Sequence, residues 1–151
     1  LSTENYYEEM VNVYYEYYHA LQESAFIDEE LGDTYEFGDD TRRGPHWFYS
    51  GASTFMADYA VRKRESNNNL SPIKDWLKQQ FLFGESLVEQ SGCSEIKLKE
   101  ISPENCFNLK FYWGEPAVAY LLSTISNPNA LNEVFYPNLY QLGFKDAFEL
   151  T

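Results

Sequence analysis

Residues 5–21 read NYYEEMVNVYYEYYHAL. Tyr7, Val11, Tyr14, Tyr18 and Leu21 recur at alternating steps of four and three, the spacing that gathers side chains on one face of an α-helix. Ser2 or Thr3 can cap such a helix, and Glu4, Glu8 and Glu9 suit its N-terminal half, where the helix dipole favours carboxylates. The stretch predicts a helix from about residue 4 to 24. On a neighbouring face Tyr15 and His19 lie four apart with Glu16 beside them, so these side chains can act together.

The rest of the chain continues in the same style. "TRRGP" combines a turn with a proline placed to open a helix, and a second helix is expected over about 45–65. It carries Trp47 or Phe48, Gly51 or Ala52, Phe55 and Tyr59 at helical spacing and ends in Arg62, Lys63 and Arg64, which favour the C-terminal dipole. Ser71, Pro72 and Asp75 start a third helix bearing Ile73, Trp76, Leu77, Phe81, Gly84 and Leu87. "QSGCSEIKLKEISPENCF" reads as irregular with a brief extended alternation at "EIKLKEI". "FYWGEPAVAYLLSTI" reads as a helix with Pro116 in its first turn, "NPNALNEVFYPNLYQLG" as a short helix interrupted near Pro137, and "FKDAFELT" as the start of another. With no internal repeat and no low-complexity tract, the expectation is one mainly α-helical domain over 1–151.

Composition excludes some functions. A hydrophobic content of 44% with 18% aromatics is that of a folded domain. The net charge of −13 is concentrated: residues 1–40 hold twelve acids and no Lys or Arg. Such a field repels phosphate, so nucleic acid and anionic lipid are not expected partners, and no apolar run reaches the length of a membrane span. Thirteen tyrosines exceed what a core alone needs, which points to an aromatic cleft for a peptide, protein or carbohydrate. Cys93 and Cys106 lack zinc-site spacing; one bridge in an exported protein and two buried thiols both fit, so the compartment stays open. A start at Leu1 reads as a piece of a longer chain.

Three segments, taken together, resemble a known family. "YEYYHALQ" (15–22) resembles the H-E-x-x-H helix of gluzincin zinc metallopeptidases, with Glu16 and His19 in place and Tyr15 where the first histidine stands. "PHWFYSGASTFMADY" (45–59) resembles the P-x-W-x-x-E-G-x-A segment that carries the third ligand, with Pro45, Trp47 and Gly51 in register and Ser50 in place of the glutamate. "FYWGEPAVAYLLSTI" and "FYPNLYQLGFKDAFELT" look like the downstream helices. The resemblance implies the C-terminal helical half of a gluzincin.

The departures imply lost chemistry. Catalytic zinc needs three protein ligands and an open position, and of these only His19 is of ligand type. The expected function is therefore a catalytically inactive metallopeptidase-like domain, a binding or scaffolding module without a cofactor; zinc returns only if the departures are compensated. Tyr15 is expected to fill the space of the lost ligand and bond toward Ser50, while Glu16 pairs with His19, Tyr49 or an arginine such as Arg42 or Arg43. His19 also reads as an interior, hydrogen-bonded histidine. The alternative is a hydrolase with a rearranged, metal-independent site, in which Glu16 and His19 act with Asp39, Asp40 or Asp58.

Overall fold

A computed structural model describes residues 3–24, 44–91, 93, 96–101, 105–125, 127 and 129–151. The segment 25–43 lies outside them, and with it Asp39, Asp40, Arg42 and Arg43. The fold is mainly α. Helices α1 (Thr3–Ser24), α2 (His46–Glu65), α3 (Ser71–Ser91), α4 (Leu109–Tyr112), α5 (Gly114–Thr124) and α6 (Tyr136–Leu150) follow in order, and no strand occurs among the described residues.

Helix α2 is the centre of the fold. It starts after Pro45, which is extended at the N-cap, and ends where Arg62, Lys63 and Arg64 face the negative end of the helix dipole. Its packing goes further than one apolar face. Phe48, Ala52 and Phe55 enter the main core, while Ser50, Gly51, Ser53, Ala57, Asp58 and Val61 are buried on its other sides. A helix enclosed on most sides needs small residues, and "SGAS" at 50–53 supplies them. Helix α1 lies against one flank and α5 against another.

The α2–α5 contact is made by backbone. A Cβ added to Gly51 would collide with the main chain of Gly114, and one added to Gly114 would collide with the Trp47 carbonyl. Around this crossing Phe48 meets Phe135, Phe144 and Phe148 with ring centroids 5.0, 5.1 and 5.7 Å apart. Such tilted and edge-on pairs are each worth about 0.5–1.5 kcal/mol beyond burial.

A second, smaller core gathers Cys93, Ile101 and Leu109 with Leu87, Val88 and Trp113. Cys93 and Cys106 are joined in a disulfide, with Cα atoms 6.2 Å apart. That resolves the two readings of the cysteines in favour of the bridge. Within residues 96–101 the alternation does not form a strand: Leu98–Glu100 is a 3₁₀ turn, closed by the Lys97 amide donating to Glu100 Oε2 at 3.1 Å.

Pro137 does not interrupt its helix. A π-helical turn at Leu131–Phe135 runs directly into α6, and Pro137 falls in the first turn of α6, where an amide donor is dispensable. The break expected there comes at Gly143, whose φ of 76° lies in the left-handed region. It turns the last segment so that Phe144 and Phe148 reach Phe48.

Two outcomes follow. Gly51→Ala forces α2 and α5 apart against rigid backbone and should cost about 2–3 kcal/mol, read as a lower urea midpoint at unchanged slope. Reducing the Cys93–Cys106 bridge releases a loop of short sequence separation and should lower stability by about 3 kcal/mol, measured by urea unfolding with and without reductant.

Candidate functional site

Tyr15 and His19 project from α1 toward Tyr49, Ser50 and Ser53 of α2. The Tyr15 ring stands edge-on to the His19 imidazole, centroids 4.3 Å apart at 89°. Tyr49 covers the imidazole from α2 at 4.6 Å and 30°. Nε2 of His19 is 3.1 Å from Ser53 Oγ. The Ser53 hydroxyl also lies 2.9 Å from the Ser50 carbonyl and 3.2 Å from the Tyr49 carbonyl, both of them acceptors.

Tyr15 and Ser50 fall on the same side of the core. Burial, with a further push from the Glu16 carboxylate, raises the Tyr15 phenol above its usual range, and the Ser53 and Ser50 hydroxyls bonded to it pull the other way. The phenol is accordingly neutral near pH 7. Ser50 itself is buried, and its carbonyl accepts from Thr54 Oγ1 at 2.8 Å as well as from Ser53. Glu16 is exposed at the edge of this cluster.

Gln22 closes the cluster on its C-terminal side. Its Nε2 donates to the Tyr49 carbonyl at 3.1 Å and to Tyr136 Oη at 3.0 Å, so one buried amide ties α1 to α2 and α6. Burial raises the Tyr136 phenol to about 12, against the opposing bonds from Tyr18 and Gln22. Gln22 follows His19 by three residues, and nothing local in the sequence marks it as the link to Tyr49 and Tyr136.

The donors at this cluster are one imidazole, one neutral phenol and aliphatic hydroxyls. That set does not fit catalytic zinc, which takes imidazole, thiolate and carboxylate ligands. Among the described residues no three His, Cys, Asp or Glu side chains gather as a metal-ligand group.

Asp58 belongs elsewhere. It accepts from Tyr7 Oη at 3.0 Å and pairs with Arg62 Nε at 3.1 Å. Tyr7 precedes His19 by twelve positions on α1, about 18 Å along a helix axis, so Asp58 is not brought to Glu16 and His19. The Arg62 guanidinium lies 3.9 Å over the Trp76 ring and 4.9 Å from that of Tyr7. The Trp76 indole donates to Glu115 Oε1 at 3.1 Å. A cleft of about 230 Å³, lined by Tyr7, Val11, Asn12, Asp58, Arg62 and Trp76, opens beside these groups.

Glu115 was missed from sequence. In "WGEP" it reads as an ordinary first-turn acid, and only the packing of α3 and α5 buries it to 1% exposure. Burial first, then the negative Asp58, raises its carboxyl to about 8. Asp58 is raised too, by burial, with Arg62, Tyr7 and Trp76 opposing. One guanidinium thus serves two buried carboxyls, and Glu115 carries the proton near pH 7.

In comparisons with known proteins, no family model, no curated protein and no solved structure matches this chain. No helix among the described residues is long and apolar enough to cross a membrane.

The titration of Glu115 sets a pH dependence. Its folded pKa of about 8 stands above the ordinary carboxyl value of 4.5, so folding takes up a proton. The protonated group's contribution is complete below about pH 4.5 and is lost as pH rises through about 8. Glu115→Gln keeps the shape without the charge and should stabilise the protein at pH 9 relative to wild type, with little change at pH 5. Urea midpoints at the two pH values check this.

Proposed function

We propose that the chain is a metallopeptidase-like domain of the gluzincin pattern that has lost its catalytic metal site and acts as a binding or scaffolding module. One observation carries the reading: Tyr15, His19 and Ser50, the three positions that the family pattern assigns to metal ligands, meet in one cluster across α1 and α2. The phenol and hydroxyls are hydrogen-bonded to one another in place of a ligand set that could hold a metal-bound water. Without such a water, the exposed Glu16 has no nucleophile to activate.

The ligand proposed for the module is a peptide, protein or carbohydrate met by tyrosine-rich surface. The metal-independent hydrolase has less support, because Asp58 is engaged with Tyr7 and Arg62 and the cluster around His19 offers no second acid from α2.

Restoring the ligands tests the proposal. Tyr15→His with Ser50→Glu places a second imidazole and a carboxylate beside His19, and the double variant should bind one zinc ion per chain where the wild type binds none, measured by metal analysis after dialysis. The proposal fails if the wild type retains stoichiometric, chelator-removable zinc. It also fails if the folded double variant takes up none, since the three positions would then not describe a former ligand set.

A further inference from the structure

Helix α1 has a second apolar stripe that the described residues leave largely exposed. Its inward side chains are Tyr7, Tyr18 and Gln22, with Tyr15 and His19 on the flank toward α2. Tyr6, Met10, Val13 and Tyr17 follow the four-three-four spacing of a heptad seam on the other side of the same helix. At 3.6 residues per turn these four fall within about 60° of arc, nearly opposite Tyr15 and His19. Val13 is 62% exposed, Tyr17 60% and Tyr6 46%. A valine and two aromatics aligned at this exposure form a continuous apolar strip, which differs from scattered surface apolars.

The charge beside the strip says what it takes. Glu9 and Glu16, seven apart and both exposed, run along one margin, in the flanking positions that choose a partner in a helical seam. Helix α1 contains no Lys or Arg. Among the described residues the cation at the strip is Arg64 of α2, at its N-terminal end, where Nη2 donates to Tyr6 Oη at 3.2 Å and Nε pairs with Glu65 at 3.5 Å. A second copy of this helix would set Glu9 and Glu16 against like charges. A helix with Lys or Arg beside its apolar positions would meet opposite ones.

We propose that the outward face of α1 is a docking surface for a basic amphipathic helix of a protein partner, laid along Tyr6, Met10, Val13 and Tyr17 with its cations against Glu9 and Glu16. Glu16 borders both this face and the Tyr15–His19–Ser50 cluster, but the proposal does not depend on the reading given to that cluster.

The test uses the 151-residue chain and two synthetic amphipathic peptides with leucine at the a and d positions, one with lysine and one with glutamate at e and g. By fluorescence anisotropy the lysine peptide should bind, more tightly at low than at high salt, and the glutamate peptide should bind at least about tenfold more weakly. Val13→Ser with Tyr17→Ser should weaken the lysine peptide about tenfold while circular dichroism is unchanged. Glu9→Gln with Glu16→Gln should remove the salt dependence. Leu82→Ser with Phe83→Ser, an exposed apolar pair on α3, should leave binding as in wild type. Equal binding of the two peptides, an unaffected Val13/Tyr17 variant, or equal loss in the α3 variant would overturn the proposal. So would self-association of the chain that Val13→Ser with Tyr17→Ser abolishes, since the occupant would then be a second copy.

Discussion

Everything in this fold is arranged around the place where α2 and α5 touch through Gly51 and Gly114. Main chain against main chain sets how deeply α2 sinks into the domain. Because it sinks so far, Phe48 reaches the aromatic rings of the last segment, and Trp47 can contribute to both cores. The same depth carries Ser50, Ser53 and Asp58 below the surface, so each polar side chain on α2 must find a partner within the protein. The partners come from α1 and from α2 itself.

The α1–α2 interface therefore works as a ladder of polar contacts between apolar ones. At one end Tyr7 meets Asp58 and Arg62; further along, Tyr15 and His19 meet Ser50 and Ser53; at the other end Gln22 reaches the Tyr49 carbonyl and Tyr136. Tyrosine is frequent on α1 because it can fill apolar space with its ring and still supply a hydroxyl where α2 needs one. The high tyrosine content, read from composition as a binding surface, is in good part an internal requirement of this interface. Val13 and Tyr17 have no such inward task.

Much of the secondary structure was legible because its signals are local. The α1 periodicity, Pro45 before α2, Ser71 and Pro72 opening α3, and Pro116 in the first turn of α5 each act within a few residues. Where reading failed, the cause was a neighbour distant in sequence or an unusual local solution. A π-turn accommodates Pro137 without a break, and Gly143 bends the chain so that its aromatic rings can reach Phe48. Glu115 looks like a solvated helix-start acid until α3 brings Trp76 over it. Asp58 could be named as an acid from sequence, with Arg62 one turn on within reach, but Tyr7 could not be foreseen as its partner, because it lies 51 positions away.

By itself the sequence determined the helical class, the order of the helices and the pairing of Tyr15 with His19 on one face, because periodicity, caps and charge are properties of nearby residues. Ser50 was expected beside that pair only through a resemblance, not through any local signal of its own. Only the tertiary structure decided that Cys93 and Cys106 are bridged, that one arginine serves two buried carboxyls, and that Tyr15, His19 and Ser50 share one site. Those outcomes depend on how closely helices approach, and that distance is set by the absence of two side chains, at Gly51 and Gly114, whose effect appears only when the helices cross.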